Sequence, residues 1–383
     1  MSKTMAIRIH APGGPEVLRW EEVAVPDPGP GEVLVRHEAV GLNFIDTYHR
    51  SGLYPVPSLP TAIGMEAAGV VEAVGPPGGA GSVAGAGPPG GAGPVAGSGP
   101  TAAAGPSFRP GDRVAYGFGL GAYCERRVMP VDQLVPIPDG VDSETAAAAM
   151  LKGMTSWYLC RRTYGLSEGE TVLVHAAAGG VGTILSQWCK ALGATVIGTA
   201  GSAEKGRVAR AHDCDHVILY KEEDFVERVR EITGGEGVPV VFDGVGKATF
   251  DGSMKCLARF GMMITFGNAS GAVPPLNLLR LSARGLTVAR PSLKPYIDRR
   301  EDLEEAAGEL LGHIAAGRIR VTVGQRFALK DAAAAHRALE SRATRGCTVL
   351  LPDETRTGPA RARAVGRGAG SALVGRNHLL LSR

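Results

Sequence analysis

"HAAAGGVG", His175 to Gly182, lies between the apolar run "TVLV" (171–174) and the helix-patterned "TILSQWCKALGA" (183–194). Its reading decides the fold. A strand that ends in a glycine turn and passes into a helix leaves free backbone N–H groups at the helix start, where a pyrophosphate can be received. The spacing is Ala177-x-Gly179-x-x-Gly182, with alanine where the dinucleotide fingerprint usually opens on glycine. Ala177 keeps that position small, Gly179 permits close approach of a phosphate, and Gly182 permits close packing of helix on strand. Taken alone, the octapeptide is equally compatible with an ordinary tight turn.

The flanking sequence favours the first reading. Val181, Ile184, Leu185, Trp188 and Leu192 recur at helix spacing, and "ATVIGTA" then supplies a second strand. "HVILY" precedes "EEDFVERVREI", and "VPVVFDGVG" precedes the helix-like "ATFDGSMKCLARF", which leads into "GMMITFG". Strand and helix alternate throughout, so the expected fold is α/β, a doubly wound, mostly parallel sheet covered on both faces. An NAD site commonly places an acid about twenty residues after the glycine turn, on the ribose hydroxyls. Here Thr199, Ala200, Gly201 and Ser202 stand in that place, followed by Lys205, a neutral turn and a cation that suit a 2'-phosphate. The expected cofactor is therefore NADPH.

The rest of the chain bounds the function. Its 383 residues suffice for two domains, and a formal charge of +3 argues against nucleic acid as the main partner. The start, "MSKTMAIRIHAPGG", has no apolar signal core and no apolar run is long enough to span a bilayer, so a cytoplasmic protein is expected. The six cysteines lack C-x-x-C or histidine-associated spacing and read as reduced thiols. Residues 76–107 contain only Gly, Pro, Ala, Ser, Val and Thr, with a tandem repeat, "GPPGGAGSVAGA" from Gly75 and "GPPGGAGPVAGS" from Gly87. They read as a disordered low-complexity insertion between two strands. Residues 353–383 read as a frayed basic tail.

"GLNFIDTYHRSGLYPVPSLP", "LKGMTSWYL", "HAAAGGVG", "FGNASGAV" and "ESRATRG" occur in this order between residues 4 and 352. By these motifs the chain closely resembles the NADPH:quinone oxidoreductases of the zinc-independent branch of the medium-chain dehydrogenase/reductase superfamily, the group that includes zeta-crystallin. The resemblance implies a GroES-like, mainly β catalytic domain at 1–152, an NADPH-binding Rossmann domain at 153–290 and a return to the catalytic domain at 291–352. It also implies site residues. Asn43, Phe44, Ile45, Asp46 and Tyr48 would line the nicotinamide side, with Tyr48 touching the substrate oxygen and Asn43 and Asp46 orienting the pocket. Thr155 would contact the nucleotide, and Ala177, Gly179, Gly180, Val181 and Gly182 would form the pyrophosphate turn. Ser202, Lys205, Tyr220 and Arg342 would surround the 2'-phosphate, while Val245, Phe266, Gly267 and Asn268 would hold the nicotinamide half. Relatives are commonly homodimers, and "GMMITFG" with "GAVPPLNLL" offers candidate surface.

No metal is expected. Asn43 stands where the zinc-dependent members have a cysteine ligand, and Met65 precedes Glu66 where they have histidine. The expected reaction is transfer of reducing equivalents from NADPH to a quinone held face to face with the cofactor, without an obligatory nucleophile. Residue types leave open hydride or single-electron transfer. They also leave open reduction of an enal or enone C=C bond; a crystallin-like structural role or RNA binding fits the cofactor motifs less well. Deleting Pro77 to Pro106 should leave fold and cofactor binding intact, since loop length enters closure entropy only logarithmically. An insoluble or inactive deletion protein would contradict that.

Overall fold

The computed structural model describes residues 2–77 and 107–353. Most of the repetitive insertion and nearly all of the basic tail thus lie outside the described residues. A six-stranded parallel sheet runs in the order His216–Leu219, Thr195–Ala200, Thr171–Val174, Val238–Asp243, Leu257–Thr265, Thr287–Ala289. Its central strand is an apolar run buried on both faces, as a parallel sheet requires. The doubly wound expectation therefore holds, with the order reversing beside the glycine turn, where open α/β sheets bind ligands. One boundary differs from the sequence reading. "ATFDGSMKCLARF" is helical only over Phe250–Cys256; "LARF" opens the next strand.

A second, seven-stranded sheet is built around the long strand Glu32–Leu42, which pairs antiparallel with Glu66–Val74, Arg126–Pro130 and Cys347–Leu351. The late strands Val323–Ala328 and Cys347–Leu351 thus return to the sheet formed by the N-terminal part. A three-stranded sheet of Arg19–Val25, Ser2–Ile9 and Thr61–Ala62 flanks it. The alanine-rich helix Ser143–Tyr158 touches both regions: it packs on Glu32–Leu42 and Glu66–Val74 and on the helix Gly180–Ala191. Four consecutive alanines, Ala146 to Ala149, are fully buried and allow that close approach. Among the described residues no helix is long and apolar enough to cross a membrane.

Candidate functional site

The strand Thr171–Val174 delivers the glycine turn to the carboxyl edge of the parallel sheet. The left-handed backbone position falls on Ala176, with φ 52°, which explains how the turn forms without an opening glycine. Ala177 is fully buried, and its methyl fits because Gly198 faces it: a Cβ on Gly198 would stand 2.7 Å away. Gly179 precedes the helix in extended conformation, and a Cβ there would meet only the Ala176 carbonyl oxygen, at 3.2 Å. A Cβ on Gly182 would collide with that same oxygen and lie 2.7 Å from Ala177 Cα. The two glycines thus differ: a side chain at Gly182 would part helix from strand, while one at Gly179 would meet a single carbonyl oxygen. Gly180 and Val181 form the first turn of the helix, half-buried.

The late loop reaches this turn by main-chain pairing. Gly346 N–H donates to Ala178 O at 3.0 Å, which brings the "ATR" segment beside the second strand's end. There the Lys205 ammonium donates to the Arg342 carbonyl at 2.7 Å. Burial lowers the Lys205 pKa, and the nearby charges of Arg342, Lys221 and Arg345 push it further down against Glu204. Four cations therefore crowd one corner, and Glu204 answers with an ion pair to Arg345. Ser202 caps the helix Ala203–Ala211, its hydroxyl accepting from Lys205 N–H. Tyr220 is 40% exposed and its hydroxyl overlies Gly201, where a Cβ would stand 2.7 Å from it.

The Tyr48 oxygen accepts from Asn268 N–H at 2.9 Å, which joins the helix Phe44–Ser51 to the loop after the strand Leu257–Thr265. The Asn268 amide oxygen faces the Tyr54 hydroxyl and the Arg290 guanidinium, at 3.2 and 3.1 Å. Burial pushes the Tyr48 phenol up to about 12, so it stays protonated, with its own hydrogen free to donate. Behind it, Asp243 accepts from Val245 N–H (2.7 Å) and Gly246 N–H (3.1 Å). A Cβ on Gly244 would lie 3.0 Å from the Phe266 ring, and one on Gly267 would collide with Gly244 O, so this turn needs its glycines. Thr155 sits buried on the alanine-rich helix. Phe44 and Ile45 are half-buried on the first turn of the helix Phe44–Ser51.

Expected to touch the cofactor as well as orient the pocket, Asp46 is completely buried. One carboxylate oxygen accepts from Asn43 N–H (2.8 Å) and the Tyr123 hydroxyl (3.0 Å), closing the helix start. Burial raises its pKa to about 7. It holds the start of the helix that presents Tyr48.

Zinc does not fit the residues present. Asn43 donates its amide to Glu66 Oε1 at 2.8 Å, and the Lys152 ammonium bonds to the same oxygen. An ammonium on the Glu66 carboxylate repels a second cation, and an amide nitrogen is no ligand. Among the described residues no cluster of three His, Cys, Asp or Glu could hold a metal.

Sequence reasoning passed over Lys152, Tyr54, Lys221 and Arg345, and passed over His175 as a side chain. His175 is buried between Thr199 Oγ1 (3.0 Å) and Ser253 Oγ (2.9 Å), under the turn whose first residue it is. Lys152 and Glu66 did leave a signal: each is a lone charge in an apolar stretch, "AAAAMLKGMT" and "IGMEAAG".

The two glycines make a paired test. Gly182→Ala should destabilise by about 1–3 kcal/mol through overpacking, seen as a lower Tm. Gly179→Ala, whose methyl would meet only the Ala176 carbonyl oxygen at 3.2 Å, should lower Tm by less than Gly182→Ala yet weaken dinucleotide binding by about tenfold or more. Equal effects on both measurements would erase the distinction.

Residues 29–139 match the alcohol dehydrogenase GroES-like domain, and residues 180–312 match the family described as zinc-binding dehydrogenase. The quinone oxidoreductase of Pseudomonas aeruginosa is 49% identical over 348 residues, 90% of this chain and 99% of that protein. A 2-haloacrylate reductase from a Burkholderia species is 42% identical, covering 91% and 99%. The crystal structure of Escherichia coli quinone oxidoreductase complexed with NADPH is similar with a TM-score of 0.81 at 46% identity, over 91% of this chain and all of that one. With these matches running nearly end to end, the chain belongs to the quinone oxidoreductase family of the medium-chain dehydrogenase/reductase superfamily.

Proposed function

We propose that the protein is an NADPH:quinone oxidoreductase that works without a metal. The observation that carries this reading is the cation corner beside the glycine turn. Lys205 and Arg342 lie together there, with Lys221 and Arg345 adding charge, and Thr199 to Ser202 place no acid where NAD sites have one. The Lys205 ammonium uses one of three donor hydrogens on Arg342 O, which leaves two for an anionic oxygen. The helix start at Gly179 to Val181 would receive the pyrophosphate, and Val245, Phe266, Gly267 and Asn268 would hold the nicotinamide half. Ala177 and Gly182 would shape the turn from behind, with Ser202 and Tyr220 flanking the phosphate and Thr155 beside the nucleotide.

Bound there, NADPH supplies the reducing equivalents. The chain's part is to hold acceptor and cofactor together and to meet the negative charge that gathers on a carbonyl oxygen of the acceptor. Tyr48 is suited to that, with its oxygen fixed by Asn268 N–H and its proton retained by burial. Phe44 and Ile45 offer apolar wall to a flat ring. Asn43 orients the pocket floor, and Asp46 orients the helix beneath it.

Residues 1–152 and 291–352 would form the catalytic part and 153–290 the nucleotide part of the working enzyme, in the cytoplasm. A homodimer through the edge of the parallel sheet is favoured by exposed Phe260 (72%), Leu278 (72%) and Leu279 (77%) near its last strands. Of the apolar stretches first considered, Met263 and Ile264 are core, while Ala272, Pro274, Pro275 and "NLL" supply surface. A second reading, reduction of an activated C=C bond, is favoured by the 42% identity to the 2-haloacrylate reductase and differs only in acceptor shape.

Replacing Lys205 and Arg342 together with alanine should lower kcat/KM for NADPH by about a hundredfold or more, from charge-assisted bonds of about 1.5–3 kcal/mol each before non-additivity. The NADH reaction, with no 2'-phosphate to lose, should change only a few-fold. Equal losses with both cofactors would refute phosphate discrimination by this pair.

A further inference from the structure

The Glu66–Lys152 pair is buried on both sides: side-chain exposure is 0% for the acid and 5% for the base. Such a pair is seldom needed for stability, because neutral side chains of similar volume commonly replace both members without loss. Its retention asks for another reason, and the neighbours supply one. On one side, Glu66 Oε1 is shared between the Lys152 ammonium and the Asn43 amide nitrogen, so the carboxylate fixes which end of the Asn43 amide faces it. Glu66 Oε2 accepts from Leu151 N–H at 2.6 Å, which locks the carboxylate itself onto the helix that carries the lysine. On the other side, the Lys152 stem lies on the first residue of the glycine helix: a Cβ on Gly180 would stand 2.8 Å from Lys152 Cδ and 2.9 Å from Cε. One side chain thus touches both the catalytic floor and the pyrophosphate turn. Burial alone would pull its pKa down, but Glu66, Cys347 and Asp46 raise it, and the net shift is upward, so the ammonium stays charged.

We propose that Lys152 is a positioning residue for the reduction: its ammonium, pinned on Glu66 and packed against Gly180, is the fixed cation of a floor that does not suit zinc, and it sets the Asn43 amide in register with the glycine helix. Lys152 acts through Asn43 and Gly180 and does not itself reach the acceptor. The proposal rests on the quinone-reductase reading, which the wild-type enzyme tests separately.

The decisive set is wild type, Lys152→Met, Glu66→Gln and the double variant Glu66→Gln/Lys152→Met. Each is measured for Tm, for NADPH dissociation by fluorescence titration, and for kcat and KM with one simple quinone. Lys152→Met alone leaves a buried, unpaired carboxylate and is the variant most prone to misfold; the double variant removes both charges and keeps an oxygen for Asn43. The double variant, in which the glutamine NH2 replaces the oxygen that Leu151 N–H bonded, should lose only a little Tm and bind NADPH within about threefold of wild type, while kcat falls by about thirtyfold or more with little change in KM, the pattern of lost positioning. Wild-type kcat in the double variant would overturn the proposal, because the pair would then serve only to neutralise itself. A loss confined to NADPH affinity and KM would overturn it as well. Should the wild type turn over no quinone, the function reading fails, and the same ratios measured with 2-haloacrylate decide the part played by Lys152.

Discussion

Glu66 is the constraint on which the site depends. It is completely buried in the strand Glu66–Val74, opposite Gly41 in the antiparallel register. A Cβ on Gly41 would collide with the Glu66 carboxylate and with the Ala147 carbonyl, so the glycine is what lets the alanine-rich helix settle onto the sheet with the acid between them. From that point the carboxylate reaches Asn43 at the start of one helix and Leu151 and Lys152 in another. The helix bearing Lys152 packs in turn on the glycine helix. Catalytic floor, connecting helix and pyrophosphate turn are therefore placed relative to one another by one acid.

A second buried polar series supports the wall above that floor. Arg50 Nη1 donates to His336 Nδ1 at 3.1 Å, His336 Nε2 meets the Tyr123 hydroxyl at 3.0 Å, and Tyr123 donates to Asp46 at 3.0 Å. Burial, with the Arg50 charge beside it, holds His336 down at about 3, so it is neutral and serves as a spacer with fixed donor and acceptor ends. The series ties the late helix Ala332–Glu340 to the helix Phe44–Ser51, and the latter to Tyr48. Its members orient; the groups with free donors toward the cleft are Tyr48 on one side and the cation corner on the other. This division suits an acceptor that is already electrophilic and asks mainly to be held and to have its charge met.

The parallel sheet was legible because its signals are local: apolar runs of strand length, helix-spaced apolar residues, and glycines at the turn between them. Val174 to Gly182 reads correctly on those grounds as the end of a strand, a turn and the start of a helix. The helix end at Cys256 was missed because Leu257 and Phe260 continue an apolar spacing that helix and strand share. Asp46 came into view only through the family resemblance, because the short helix it opens, with its carboxylate closed on Asn43 N–H, leaves too little periodicity to read. Lys205 and Arg342 lie 137 residues apart. No periodicity links them, so only resemblance to a family brought the arginine into view. The Glu66–Lys152 pair was hidden for the same reason, although two lone charges in apolar stretches are a sign that they need each other.

The central claim is a cleft that reduces quinones with NADPH and has a protein cation, not a metal, at its floor. The most direct measurement is metal analysis of the purified enzyme combined with NADPH-driven quinone turnover before and after treatment with a strong chelator. The account predicts zinc well below about 0.1 per chain and turnover unchanged by chelation. One tightly held zinc per chain, whose removal abolishes turnover and whose return restores it, would contradict the account.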